Sequence, residues 1–294
     1  MSPERGESGT VAWRELLGGA EQVLAAAGIE SPQADARWIV ERASGLEGPE
    51  LTLALDEPAT ERGVAHLDAL LARRRTGEPL QHVVGRWGFR TLDLLVDGRA
   101  LIPRPETEVV AGLGLDAIAG LDAPVAADLG TGTGAIALAL VAEHATVQVW
   151  ATDRSVDALD VARANLAGLG HPAARVRLAE GHWFAALPDE LHGRLDLVIS
   201  NPPYVAETDA LPDEVRLWEP HVALVPGPSG LEDVQAIVAE VGSWLRPGGT
   251  VVVEHGATQA EAVRDLAEAA GLVDVRTESD LAGRDRALVA VRPR

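Results

Sequence analysis

From residue 124 onward the sequence alternates short apolar runs with longer segments of helical periodicity, and few folds accommodate that rhythm. The runs at 125–129, 147–152, 175–178, 195–200, 250–255, 273–277 and 287–291 read as strands. The segments 133–144, 155–169, 231–245 and 258–270 read as helices. Strand and helix in alternation imply an α/β fold, a Rossmann-like, seven-stranded, mostly parallel sheet with helices on both faces. In such sheets ligands bind outside the carboxyl ends of the strands, where the strand order reverses.

The first third of the chain reads differently. Apolar residues recur at helical spacing over 11–27, Ser31-Pro32 opens a second helix, and a third covers 60–75. Residues 11–76 therefore form a small helical bundle, suited to docking a substrate. Residues 77–105 read as a β-hairpin linker, with Val83, Val84, Trp87, Phe89, Leu92, Leu94 and Val96 interleaved with glycines. The segment 101–108 holds Pro103 and Pro105 and reads as an extended loop, with the next helix beginning at Glu106 or Thr107. Residues 106–294 make the large domain. The first ten residues are polar, read as disordered, and lack the apolar core of a signal peptide. No apolar run is long enough to span a bilayer, so the expectation is a soluble, cytoplasmic protein without membrane partners.

Charge narrows the partners. The chain has 45 acidic residues against 25 basic ones, all arginine, for a net charge of -20. Nucleic-acid coating relies on positive charge, so direct nucleic-acid binding is not expected. There is no cysteine, which excludes disulfides and thiolate chemistry. His82, His144, His171 and His221 are scattered without ligand spacing, so no metal site is expected. Arg73-Arg74-Arg75 reads as a solvated helix end.

Two motifs carry chemistry. Asp128-Leu129-Gly130-Thr131-Gly132-Thr133-Gly134 follows a strand and opens a helix. Glycines allow a tight turn and close ligand approach, and the helix start offers free amides. Asp153 ends the next strand, where a carboxylate can bind ribose hydroxyls. Gly130, Gly132 and Ala135 also satisfy the dinucleotide fingerprint. Asp128 would sit awkwardly beside a pyrophosphate, whereas S-adenosylmethionine carries an ammonium and a sulfonium and no phosphate. The second motif is Asn201-Pro202-Pro203-Tyr204, directly after a buried strand. An amide or amine nitrogen presents two coplanar hydrogens. The Asn201 side-chain oxygen and the Pro202 carbonyl can accept them, two prolines stiffen the loop, and Tyr204 can stack on a planar acceptor. Either glutamine or adenine would fit such a clamp.

Together these motifs resemble the class I amino methyltransferases, a group that includes DNA adenine-N6 and protein glutamine-N5 enzymes. The segment 101–108, Trp183-Phe184, Glu219-Pro220 and Glu254-His255-Gly256 are further similar to the HemK/PrmC family of release-factor glutamine methyltransferases. The resemblance spans about 11–291. It implies methyl transfer from S-adenosyl-L-methionine to the N5 nitrogen of the glutamine in the Gly-Gly-Gln loop of peptide chain release factors. It implies that Asp128, Gly130, Thr131, Gly132, Thr133 and Gly134 line the methionine portion of the cofactor, Asp153 the ribose and Trp183 the adenine. Asn201 would touch both cofactor and acceptor, with Pro202, Pro203 and Tyr204 completing a catalytic glutamine pocket. One departure is His182, where the family commonly has a small polar or acidic residue; Glu180 is the candidate substitute carboxylate. Ribosomal-protein glutamine is an alternative acceptor. Adenine in DNA is less favoured, because the segment after Tyr204 is short and acidic. The chain is expected to act as a monomer, and Glu254 and His255 to be structural.

Overall fold

The computed structural model describes residues 11–294; the expected disorder of the first ten lies outside them. In chain order the helices α1 (Trp13–Ala26), α2 (Pro32–Ser44), α3 (Pro49–Leu53), α4 (Glu61–Arg74) and α5 (Leu80–Val84) come first. They precede a hairpin of β1 (Arg86–Phe89) and β2 (Leu92–Leu95), then α6 (Pro105–Ile118). The alternating part follows as β3 (Val125–Leu129), α7 (Ala135–Glu143), β4 (Gln148–Asp153), α8 (Val156–Gly168), β5 (Val176–Glu180) and β6 (Leu195–Ser200). It continues with α9 (Asp213–Trp218), α10 (Glu232–Trp244), β7 (Leu245–Glu254), α11 (Ala260–Ala269), β8 (Val273–Ser279) and β9 (Asp285–Val291).

Two compact units result. The first holds the described residues up to Gly85 together with α9, and the second holds Arg86–Pro212 and Glu219–Arg294. The boundaries expected at 76 and 105 thus give way to one division at Gly85, and the hairpin belongs wholly to the second unit. Val83 and Val84 were expected in that hairpin. Both are buried, so no in–out alternation exists there; they close the helical turn α5, which ends on Gly85 at a left-handed φ of 73°. Helix α3 was not expected, since five residues are too few to display a periodicity. Helix α6 starts at Pro105, earlier than expected, because a proline at the first helical position loses no hydrogen bond.

In the first unit Leu24, Ile39, Val40, Leu51 and Leu67 are essentially inaccessible. Of the basic run ending α4, Arg73 and Arg75 are exposed as expected, but Arg74 is not. Arg74 is buried, donates from Nε to Asp35 Oδ2 at 2.7 Å, and lies 3.1 Å from Glu214. Arg73 pairs with Glu78, its Nε 2.9 Å from Oε2.

The second unit is a seven-stranded sheet in the order β5-β4-β3-β6-β7-β9-β8. The strands β3 to β7 pair in parallel, and β9 runs antiparallel between β7 and β8. Alternating side chains feed two cores. Leu197, Ile199 and Val252 pack on α6 and α7, while Val198, Val251 and Val253 pack on α10 and α11. Strand order reverses between β3 and β6, with Leu129 level with Ser200. Both sequence motifs therefore emerge side by side from the carboxyl edge of the sheet. Among the described residues no helix is long and apolar enough to cross a membrane.

The Arg74–Asp35 pair gives a test of the first unit. Removing Asp35 leaves the buried Arg74 only the half-exposed Glu214 as a charge partner, at a cost of up to roughly 3 kcal/mol. Asp35→Ala is expected to lower the urea midpoint of the chain without altering the far-ultraviolet signature of the second unit, read by denaturation under circular dichroism.

Candidate active site

The turn after β3 is built by backbone geometry. Gly130, Gly132 and Gly134 have φ of 73°, 56° and 85°, a region closed to most side chains. The Gly130 and Thr131 amides both donate to the Thr152 carbonyl at 2.8 Å, pinning the turn to β4. A Cβ on Gly130 would lie 3.0 Å from the Trp183 ring, so the indole rests directly on the glycine. Trp183 itself holds a φ of 47°, an uncommon conformation for a bulky residue that persists only where packing enforces it.

Two aspartates stabilise this turn. Asp128 is fully buried at the end of β3, where its Oδ2 accepts from Thr131 Oγ1 at 2.6 Å and from the Ala137 amide at 3.1 Å. Its Oδ1 has no partner. Burial pushes the Asp128 pKa up to about 7, against which the two hydrogen bonds pull only partly. Asp153, at the end of β4, accepts from the Gly132 amide and from the Ser155 amide, each at 2.9 Å. Burial raises its pKa too.

A cavity opens at this edge of the sheet. Its wall includes Gly130 to Thr133, Asp153, Trp183, Asn201 and Pro203. Asp128 and Gly134 lie behind the turn, and Pro202 and Tyr204 are likewise not among the lining residues. The wall also includes residues that the motifs did not single out: Arg99, Thr107, Arg154, Val222 and Asp233. Asp233 sits in the first turn of α10, beside His182 and Trp183. Glu180, the expected substitute carboxylate, is exposed and off the wall; Asp233 is the acid at that end of the cavity. No local pattern marks Asp233, since its helix is remote in sequence from Trp183.

The segment 101–105 forms one lip of the cavity. Glu219 fixes it, accepting from the Ile102 amide at 3.1 Å and from Arg104 Nη2 at 2.5 Å. Pro220 and Val222, next along the chain, line the cavity. Thus the Pro-x-Pro loop and the Glu219-Pro220 pair, read separately in the sequence, are two halves of one clamp.

The tetrapeptide lies against a buried polar chain. Asn201 Nδ2 donates to Thr107 Oγ1 at 3.0 Å, and Thr107 Oγ1 donates to Glu254 Oε2 at 2.7 Å. The Tyr204 hydroxyl donates to Glu254 Oε1 at 3.3 Å, and Gln259 Nε2 donates to the Tyr204 carbonyl at 3.0 Å. Among the described residues Asn201 Oδ1 makes no hydrogen bond. Burial and the neighbouring Glu254 raise the Tyr204 pKa, so the phenol stays protonated. His255 is buried, its Nδ1 2.9 Å from the Gly256 carbonyl, and burial lowers its pKa.

A cavity beneath a three-glycine turn, with two acids near it and Asn201 in its wall, suits a cationic ligand without phosphate. Asp153 is an acid on the wall itself, and Asp128, with its Oδ1 unpartnered, lies behind the turn. Comparison with known proteins agrees. Residues 15–85 match the PrmC N-terminal domain and residues 115–216 the methyltransferase small domain. The first match ends at Gly85, where the two units divide. A release factor glutamine methyltransferase of Cereibacter sphaeroides is 46% identical over 275 residues, covering 92% of this chain and 95% of the relative. Another, from Burkholderia pseudomallei, is 43% identical, covering 86% and 90%. A solved methyltransferase from Pyrococcus furiosus shares the fold, with a TM-score of 0.52 at 18% identity over 70% of this chain and 91% of that one.

Fold and site define a class I methyltransferase, an enzyme dependent on S-adenosylmethionine. The chain belongs to the release factor glutamine methyltransferase family.

The raised pKa of Asp128 predicts a pH dependence. In the folded chain the proton is held up to about pH 7, against an ordinary aspartate value of 3.8, so this group's contribution to stability falls as pH rises between those values. A cationic ligand nearby favours the carboxylate and lowers that pKa, so binding releases a proton. Affinity for S-adenosylmethionine is therefore expected to rise as pH increases through the neutral range. Calorimetry in buffers of different ionisation enthalpy reads the released proton. Asp128→Asn should flatten the dependence.

Proposed function

We propose that this protein transfers a methyl group from S-adenosyl-L-methionine to the side-chain N5 nitrogen of the glutamine in the Gly-Gly-Gln loop of peptide chain release factors. The reading is supported by the names of its relatives and, above all, by one feature: Asn201 has its Nδ2 occupied by Thr107 and its Oδ1 free. A free carbonyl held in one orientation is an acceptor prepared for an N–H.

The bound cofactor supplies an electrophilic methyl group on a sulfonium. The chain's residues divide the remaining work. Gly130, Thr131, Gly132, Thr133 and Gly134 would cradle the methionine portion, with Asp128 and Asp153 near its positive charge. Asp153 would also take the ribose and Trp183 the adenine. Asn201 Oδ1 and the Pro202 carbonyl would accept the two amide hydrogens. That holds the amide in one plane and lends its nitrogen electron density as the new bond forms. Pro203 and Tyr204 would close the pocket around the planar group. No strong base is needed, because the alkylated nitrogen is acidic enough to lose its proton to water. Preorganised acceptors and exclusion of water carry the catalysis.

The helical unit would dock the protein substrate. With its acidity and the absence of any basic run in 205–230, the chain would act without nucleic acid, as a monomer in the cytoplasm.

Asn201→Ala is expected to reduce turnover at least ~100-fold, the magnitude typical of losing a transition-state acceptor or donor, with a much smaller effect on cofactor affinity. Tritium from labelled cofactor should enter a release factor and should fail to enter one whose Gly-Gly-Gln glutamine is replaced. Incorporation into ribosomal protein or duplex DNA instead, in parallel reactions, would overturn the acceptor assignment.

A further inference from the structure

Glu254 is an acid buried completely at the end of β7, and the proposed reaction gives it no task. Burying a carboxyl group is unfavourable unless its oxygens are satisfied, and an apolar residue would fill a core position at lower cost. Its partners come from separate segments: Thr107 in the first turn of α6, and Tyr204 in the loop after β6. Asn201, from that same loop, hangs on Thr107.

We propose that Glu254, acting through Thr107, is a positioning residue that fixes which end of the Asn201 side-chain amide faces the acceptor. The inference rests on Asn201 being the acceptor clamp.

The argument is one of hydrogen-bond direction. Burial raises the Glu254 pKa to about 7, and above that pH Glu254 is a carboxylate, which can only accept. Thr107 Oγ1, 2.7 Å from Glu254 Oε2, must therefore point its single proton at Glu254. That leaves only lone pairs for Asn201, 3.0 Å away, so Asn201 must present Nδ2 to Thr107 and Oδ1 to the opposite side. Replace the carboxylate by a group that can donate, and the threonine hydroxyl is free to turn its proton toward Asn201. The amide could then flip and present its own two N–H donors where the substrate amide also presents donors. An asparagine is nearly symmetric in shape, so packing alone cannot choose between the two orientations; a directional partner must. Thr107 and Glu254 are 5% and 0% exposed, which keeps water from substituting for the bond between them. The same carboxylate takes the Tyr204 hydroxyl at 3.3 Å, so one group sets the polarity of two members of the tetrapeptide.

Full-length enzyme carrying Thr107→Val, Thr107→Ser or Glu254→Gln is to be assayed with a release factor for kcat and KM, and with S-adenosylmethionine for Kd. Thr107→Val keeps the shape and removes the hydroxyl. It is expected to lower kcat by roughly ten- to a hundredfold, the scale of one buried hydrogen bond or slightly more, while cofactor Kd moves less than about threefold. Thr107→Ser should recover most of the loss, since it restores the hydroxyl. Glu254→Gln should resemble Thr107→Val, because a primary amide can donate where the carboxylate only accepts. Added to Asn201→Ala, Thr107→Val should cause no further loss, since the group it orients is already gone. Wild-type kcat in Thr107→Val beside a dead Asn201→Ala would overturn the relay and leave the clamp standing. So would an equal loss of kcat and cofactor affinity, or losses that multiply in the double variant. Wild-type turnover in Asn201→Ala would overturn the clamp itself, and the relay with it.

Discussion

Burial of the central sheet on both faces is the constraint from which the rest of the site follows. Strands β3, β6 and β7 are sealed between α6 and α7 on one side and α10 and α11 on the other, so polar side chains have room only where the strands end. There the sequence places Asp128, Thr152, Ser200 and Glu254, all at 0% exposure. Each must find a partner inside the protein. Asp128 takes Thr131 and the Ala137 amide, and Ser200 Oγ donates to the Leu129 carbonyl at 2.6 Å. Glu254 takes Thr107 and Tyr204. Satisfying the buried ends is what holds the loops beyond them in place.

Rigidity at this edge is thus a by-product of solvation energetics. The glycine turn is fastened from below by Asp128, from β4 by the Thr152 carbonyl and from the side by Asp153. The Pro-x-Pro lip is fastened by Glu219, and the tetrapeptide by Thr107, Glu254 and Gln259. Methyl transfer needs little acid–base chemistry, so a cavity with fixed walls and correctly directed acceptors is most of what such an enzyme must provide.

Much of this was legible in order along the chain. The central strands were legible because continuous β-branched and aliphatic runs, such as Leu195 to Ser200, have no other stable home between glycine- and proline-rich turns. The alternation implied ligand binding at the carboxyl edge of a parallel sheet; the structure added the reversal between β3 and β6 that sets both motifs side by side there. Legibility failed where burial erased periodicity, as at Val83 and Val84, and where an element was too short to have any, as in α3. It failed for Arg74 because charge partners such as Asp35 and Glu214 are invisible to local pattern.

The sequence by itself determined the fold class, the family and the two motifs at the sheet edge, because these reside in contiguous residues whose backbone demands are local: glycines that need positive φ, prolines that stiffen a turn, an asparagine at a strand end. Only the tertiary structure decided how those pieces are held. Glu219 meets Ile102 and Arg104 across more than a hundred residues, Glu254 meets Thr107 across still more, and Asp233 joins Trp183 at the cavity from a distant helix. A hydrogen bond depends on distance and direction in space, and neither is encoded in the spacing of residues so far apart along the chain.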